Sequence, residues 1–595
     1  MRLINRFWVL LSMFLTCLSC QDDILNKKPL DIISDDVVWH DQALMDAFLA
    51  NLYRATPVLV QDCSGLANGW GTDPLSETTS WDREFWASPH GTGFLTLNQL
   101  SDEAKQGWEG AGDTWKLNGI SVDGGLMEYW NAPYKVIRNL NIFIEQAGNS
   151  PLDKDFITKR IGEARFLRAF NYFAMVKRYG GVPIITNVLA MDSPEKELYP
   201  SRNSEKEVYD FIISEMDDIK ENYLPETTEV GRPSKWTALA LQCRAALYAG
   251  SIAQFGKIQL EGLLGIPSDQ VTYYYQVAYD AAMEIKEFGP YSLFEKYDDK
   301  VKNFRQLFLE KNHSEAIFVV QHDGFDAIQS TGNGWSWDFT QCPRPHSWNC
   351  GNSDAPYLEM IDEFENLDGT SGKLDRDLIQ QGEWTLEELW GKKEPRFAAT
   401  IWTQGTPWKG SVVGFCPGES QNIVANDLAG KTGFGVLKYT DEEANNMEWF
   451  CRSKTDYMTF RYGEVLLNLA EAAFELNKPD EALSAVNTIR SRAGIKTLES
   501  IDREKIRHER KIELAYEGHR YWDLRRWRIA VDVLNDKNYS GIKYDFGEQD
   551  GKYKITILEN IYGTNRTVFQ EKNYYFPITK SRRASNPNLV ENPGY

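Results

Sequence analysis

Residues 466–490 read LLNLAEAAFELNKPDEALSAVNTIR, and their spacing decides the fold class. Leu466, Leu469, Ala470 and Ala473 fall on one stripe of a 3.6-residue helix, and Ala482, Val486 and Ile489 form an answering stripe. Residues 477–480, NKPD, carry the turn between them. The small residues on both stripes let two antiparallel helices approach closely.

Such a pair resembles a tetratricopeptide repeat. Two further pairs follow the same logic, 128–148 with 153–179 and 206–222 with 236–255. One pair cannot bury its own apolar face, so at least three are expected to stack into a superhelix. The predicted class is mainly α: a tetratricopeptide-like superhelix cradling an irregular, loop-rich C-terminal part. Strand is expected only in short pieces, at 316–321 (AIFVVQ) and 573–578 (NYYFPI).

Between the helical pairs lie three tracts without helical periodicity, 61–128, 322–358 and 384–448. The first holds Trp70, Trp81, Trp86, Trp108 and Trp115 among many glycines, the second Trp335, Trp337 and Trp348, the third Trp390, Trp402 and Trp408. Loops run over the surface, and rigid aromatic faces carried there suit a ligand with flat apolar faces and polar edges, as a sugar ring has. Asp73, Asp82 and Arg83 stand beside the first indoles and Asp338 beside Trp337, and each can meet adjacent hydroxyls with two contacts. The candidate ligand-binding residues are therefore Trp70, Asp73, Trp81, Asp82, Arg83, Trp86, Trp335, Trp337, Asp338 and Trp348. The alternative is that these indoles pin long loops onto the helical scaffold.

The N-terminus reads MRLINRFWVLLSMFLTCLSCQDD. Its apolar run, 8–18, is shorter than the ~20 residues a membrane span needs, and Arg2 and Arg6 precede it as in an export signal. The run stops at Leu18, Ser19 and Cys20. This resembles a bacterial lipoprotein signal, with Cys20 as the lipidated first mature residue, although Cys17 stands where such signals usually have leucine. The other reading is a plain secretory signal with an incidental cysteine. Gln21, Asp22 and Asp23 resemble the acidic tag of Bacteroidota surface lipoproteins.

The 595 residues carry a formal charge of −21, and removing a signal with two arginines and no acid leaves −23, which repels phosphate backbones and excludes nucleic acid as a partner. Six cysteines remain beyond Cys17 and Cys20, namely Cys63, Cys243, Cys342, Cys350, Cys416 and Cys451, and none forms the CxxC spacing of a zinc site. Cys342 and Cys350 bracket a Pro-containing loop that a disulfide could close, whereas Cys243 sits in an apolar helical stretch as a packed thiol. The seven histidines form no HExxH, and there is no GxSxG elbow or Walker loop. No metal or cofactor set emerges. A glycosidase needs only two suitably spaced carboxylates, which sequence cannot select among 86 acids.

Long stretches then carry a family resemblance: IGEARFLRAFNYFAMVKRYGGVPII (161–185), KKEPRFAATIW (392–402), RYGEVLLNLAEAAFEL (461–476), ERKIELAYEGHRYWDLRRW (509–527) and YYFPITKSRRASNPNLVENPGY (574–595). Together they resemble the SusD/RagB family of surface lipoproteins. The resemblance implies a protein that is no enzyme: the binding subunit of a nutrient importer, lipid-anchored at Cys20 on the outer face of the outer membrane. Such a subunit lies over a SusC-like TonB-dependent transporter and holds oligosaccharide or, in some members, peptide. It implies a signal at 1–19, an N-terminal region at 20–230 and a C-terminal region at 231–595. The family's ligand contacts lie in variable loops, so none transfers to a residue here. Its shared motifs, including Arg165, Arg168, Arg178, Arg520, Asp523, Arg525 and Arg526, are expected to hold the fold together through ion pairs.

Overall fold

The computed structural model describes residues 35–60, 97–107, 111–124, 127–326, 331–333, 337–346, 351–416, 432–442 and 453–595. The export signal and Cys20 lie outside them. The helices that organise the chain are α1 (Gln42–Arg54), α2 (Ala111–Asn118), α3 (Asn131–Gly148), α4 (Lys154–Tyr179), α5 (Glu205–Asn222), α6 (Lys235–Phe255), α7 (Val271–Phe288), α8 (Tyr462–Glu475), α9 (Pro479–Ala493), α10 (Arg503–Glu513) and α11 (Arg520–Arg526). The strands used below are β1 (Ala104–Gln106), β2 (Ala316–Val320), β3 (Asp354–Pro356), β4 (Tyr457–Arg461), β5 (Gly541–Phe546) and β6 (Tyr553–Leu558).

The pair in residues 466–490 is α8 and α9. Its apolar stripes are interior: Leu466, Leu469, Ala470, Ala473, Ala482, Val486 and Ile489 are all buried. Asn477 makes the turn at φ 59°, a left-handed conformation that asparagine tolerates, and Pro479 opens α9 where a missing N–H costs nothing. Gly494 closes α9 at φ 77°, its N–H donating back to the last turn.

The other two expected pairs are α3 with α4 and α5 with α6. Asp153 caps α4 by accepting the Phe156 N–H at 2.9 Å, and Ser204 with Glu207 forms a capping box at the start of α5. The chain then adds α7, an aromatic-rich helix whose apolar face was not singled out in the sequence. Packing runs from each helix to the next, α3 on α4, α4 on α5, α5 on α6, α6 on α7, α7 on α8, and α8 on α9. This is the expected superhelix. Helix α6 lies at its centre, and every residue from Trp236 to Ala253 is buried.

Strand 316–321 is present as β2, which pairs antiparallel with β4 across an irregular register. This pair divides the interior: Phe318 and Phe460 join the core of the superhelix, Val319 and Met458 that of the C-terminal part. The strand expected at 573–578 does not form. Pro577 has no N–H to offer, and the Phe576 N–H and carbonyl are taken by the Arg178 carbonyl (2.7 Å) and the Asn592 side chain (2.7 Å) rather than by a neighbouring strand. A hairpin of β5 and β6, extended by residues Glu383–Trp384, had no counterpart in the sequence reading. Cys342 is buried with its thiol directed at the Phe339 carbonyl; Cys350, its proposed partner, lies outside the described residues.

What joins the superhelix to the C-terminal part is a buried ionic frame, built from the motifs at 392–402, 461–476 and 509–527. Glu509, Glu513 and Glu517 recur every fourth residue and project toward one side of α10 and its continuation. Arg396 donates to Glu394 (2.6 Å), Glu509 (2.6 Å) and Glu513 (3.0 Å). Arg461 reaches Glu315 (2.8 Å), Glu513 (2.8 Å) and Glu517 (2.7 Å), and Arg492 reaches Glu315 (3.1 Å) and Glu513. Lys438 completes the frame on Glu517 at 2.8 Å. Burial opposes ionisation of Glu513, but Arg492, Arg461 and Arg396 outweigh it and hold its carboxyl well below the usual range. A neighbouring set links Arg510 and Arg526 through Asp523 (2.7 and 2.8 Å), with Arg526 also on Glu471. The expected structural role of Asp523 and Arg526 is thus realised. Arg165 and Arg168 likewise pair with Glu215 at 2.6 and 2.8 Å, and Arg178 donates to the Met127 carbonyl.

Removing one partner of a buried ion network costs ~3–5 kcal/mol, because the remaining charges stay buried and uncompensated. Glu513→Gln is expected to lose that much in denaturant unfolding, whereas Glu504→Gln, at an exposed carboxylate beside Arg507, should change stability by less than ~0.5 kcal/mol. Equal effects of the two would contradict the frame.

Candidate functional site

The three irregular tracts meet. Strand β1 belongs to the first tract and β3 to the second, and they pair antiparallel with Lys105 opposite Ala355. Asp354 on β3 accepts from both Asn98 Nδ2 (2.9 Å) and Gln99 Nε2 (2.7 Å), so one buried carboxylate holds two consecutive residues of the first tract. Just past β1, the Gly107 N–H donates to the Ser353 carbonyl at 2.7 Å. A Cβ at Gly107 would lie 1.8 Å from the Asn352 carbonyl oxygen, so only glycine permits this approach. The third tract joins through Trp402, whose indole N–H donates to the carbonyls of Gln341 (3.3 Å) and Val436 (3.0 Å). On the N-terminal side, the Leu59 carbonyl accepts from Thr459 on β4 at 2.8 Å. The described residues on both sides of 61–96 are thus fastened to the C-terminal half.

Beneath β1 lies a buried polar cluster from α2 and the C-terminal part. Lys116 on α2 donates to the carbonyls of Ser101 (2.8 Å) and Ala104 (2.9 Å) and to the Tyr357 hydroxyl (2.7 Å). Tyr357 in turn meets Tyr562, which donates to Asp113 (3.0 Å), and Asp113 pairs with Lys105 at 2.5 Å. Tyr357 and Tyr539 stack at 3.9 Å. Two acids then clamp the start of β1 onto the 509–527 motif: Asp102 receives Arg520 in a two-point contact (2.8 and 2.9 Å) and Lys511 (3.0 Å), and Glu103 accepts the Tyr516 N–H (3.0 Å).

Comparison with known proteins agrees with this architecture. Residues 314–595 match a family model described as the SusD family, and residues 94–247 match one described as "Starch-binding associating with outer membrane". The chain belongs to the SusD/RagB family. SusD-like protein P2 of Formosa agariphila is 24% identical over 98% of this chain and 98% of its own length. A SusD-like protein of Bacteroides ovatus is 24% identical over 77% of this chain and 76% of its own. Among solved structures, a SusD-like protein of Bacteroides fragilis superposes with a TM-score of 0.72 at 26% identity, covering 96% of this chain and all of that one. A laminarin-binding SusD-like protein superposes with a TM-score of 0.58 at 19% identity, over 93% of this chain and all of that one.

Within this SusD-family fold, the ligand-binding candidates divide. Trp70, Asp73, Trp81, Asp82, Arg83, Trp86, Trp335 and Trp348 lie outside the described residues. Trp337 and Asp338 lie inside them and are interior, at 0% and 1% exposure. The Trp337 N–H donates to the Lys438 carbonyl at 2.7 Å and its ring meets Tyr439 edge-on. Lys438 is itself a member of the ionic frame, so Trp337 pins the middle tract to that frame rather than presenting a face to a ligand. Burial, reinforced by Asp441, pushes the Asp338 carboxyl well above the usual carboxylate range, and its Oδ1 accepts the Asp441 N–H at 3.1 Å. Trp402 and Trp408 are interior in the same way. For these residues the loop-pinning alternative describes what is found.

Asn98, Gln99, Glu103, Lys116 and Asp354 escaped the sequence reading. None belongs to a periodic segment, and the Gln99–Asp354 contact spans 255 residues. Their electrostatics set a measurable property. Burial of Glu103, with Asp102 beside it, lifts its carboxyl to about 7 against the Tyr516 N–H and the Ser101 hydroxyl, which favour the charged form. Burial lowers Lys116 to about 7, partly offset by Asp113 and Asp102.

Because Glu103 titrates higher in the folded chain than in the unfolded one, the stability carried by its neutral form is complete below pH ~4.5 and lost as pH rises through about 7, a swing of ~3 kcal/mol. Glu103→Gln keeps an acceptor for Tyr516 and removes the titration. Its stability relative to the parent is expected to rise between pH 5 and pH 8 in denaturant unfolding; a difference constant across that range would contradict the assignment.

Proposed function

We propose that this protein is a cell-surface lipoprotein, anchored through Cys20 in the outer membrane, that captures oligosaccharide and passes it to a TonB-dependent transporter. The observation that supports the reading is the β1–β3 junction, which joins the described ends of the first two tryptophan-rich tracts. Binding of a neutral sugar draws on ring faces laid on indoles and on hydroxyls paired with planar polar groups. The first tract supplies both in Trp70, Asp73, Trp81, Asp82, Arg83 and Trp86, with Trp335 and Trp348 from the second. The family description of starch binding at the outer membrane and the carbohydrate named for related structures support the same class of ligand. The resemblance of residues 1–19 to a lipoprotein export signal, with Cys20 next in the chain, supports the location. No chemical step belongs to this role, since the ligand is handed on intact.

The test is calorimetry of the mature protein against a panel of soluble glycans, laminarin and starch fragments among them, with chromatography of the same mixtures for hydrolysis products. At least one glycan is expected to bind without turnover. Trp81→Ala is expected to weaken that binding by ~1–3 kcal/mol, the worth of one stacked ring by analogy with bases on aromatics, at unchanged melting temperature. Product release, or a panel without a binder, would overturn the reading.

A further inference from the structure

We propose that the groove between α5 and α7 is a docking site for a cationic polypeptide segment of a partner protein. Two adjoining hollows of about 620 and 580 Å³ lie along this face, and both are walled by Asp280 and Glu284 of α7. The floor of the larger hollow includes apolar groups, Phe211 from α5 and Val277 from α7.

Charge names the occupant. Lys220 and Lys235 also line the groove, but both already serve Glu284, at 3.6 and 2.9 Å, and Lys220 serves Asp217 as well. Asp280 and Glu287 form no ion pair with a lysine or arginine among the described residues, Asp280 accepting the Gln276 amide at 2.7 Å, while Glu226 adds to the negative field at Lys235. An anion is repelled by such carboxylates, whereas a cation gains from each. The carboxylates are strung along the groove, and among the described residues no group of three His, Cys, Asp or Glu could hold a metal ion. An extended ligand with several positive charges fits this distribution.

Length and apolar anchors complete the description. Tyr273, 51% exposed, and Phe288, 71% exposed, stand near opposite ends of α7. Their separation along the axis is ~22 Å at 1.5 Å per residue, which an extended segment of ~7 residues would span. Lysine or arginine side chains would meet Asp280 and Glu287, and apolar side chains would cover the two exposed rings. No described residue of the tryptophan tracts lines either hollow, and the proposal does not depend on the glycan reading.

The experiment uses the mature chain and two fluorescein-labelled nine-residue probes, one alternating lysine with leucine and one alternating glutamate with leucine, followed by anisotropy. The lysine probe should bind, more weakly at 300 than at 50 mM NaCl as the charges are screened, and the glutamate probe should not. Asp280→Asn combined with Glu287→Gln should weaken the lysine probe at least tenfold, and Phe288→Ala at least threefold, with melting temperature and glycan affinity unchanged. Absence of lysine-probe binding, equal binding of both probes, or undiminished binding to both variants would overturn the proposal.

Discussion

Glu513 is the residue on which the rest of the molecule depends. A carboxylate with 0% side-chain exposure is tolerable only if cations surround it, and three arginines from three separate parts of the chain do so. Arg396 comes from the irregular C-terminal part, Arg461 from the strand that divides the two cores, and Arg492 from the superhelix. Each of these arginines must be satisfied in turn, which draws in Glu315, Glu394, Glu509 and Glu517. Apolar packing would accept many relative placements of superhelix and C-terminal part; a closed set of buried ion pairs accepts one.

The same frame reaches the tracts where ligand contacts are proposed. Lys511 and Arg520, in the motif that supplies Glu509, Glu513 and Glu517, hold Asp102 at the start of β1. Lys438 joins Glu517 through its ammonium and Trp337 through its carbonyl. The family motifs and the described parts of the tryptophan tracts are therefore joined in one construction, with the charged side chains inside it. Altering a residue outside the frame leaves the buried charges paired, whereas altering one of its members leaves a charge uncompensated.

The helical pairs were legible because helix contacts are local: a stripe of small residues, an Asn-Lys-Pro turn and a closing glycine all lie within thirty residues of one another. Helix α7 was less so, since aromatic residues on several faces blur its periodicity. The alternation in β5 and β6 was present but short, and the expected strand at 573–578 showed that apolar content without donors for a ladder does not make a strand. Asp523 and Arg526 could be assigned to ion pairs from composition, but not Arg526 to Glu471, 55 residues away. The junction at Asp354 was illegible for the same reason on a larger scale, because nothing local marks one buried aspartate as the partner of Asn98 and Gln99. Tryptophan on a glycine-rich tract was the ambiguous signal, and Trp337 and Trp402 show that an indole with a carbonyl to donate to is held inside.

The central claim is that the tract junction is part of the frame rather than a flexible attachment to it. Native-state hydrogen exchange tests this directly, by comparing amides on β1 and β3, such as Lys105 and Ala355, with amides in α10 that carry Glu509 and Glu513. The account predicts that both sets open with the same free energy and the same denaturant dependence, as one cooperative unit. Exchange of the β1 and β3 amides through a local opening several kcal/mol cheaper than that of α10 would contradict it.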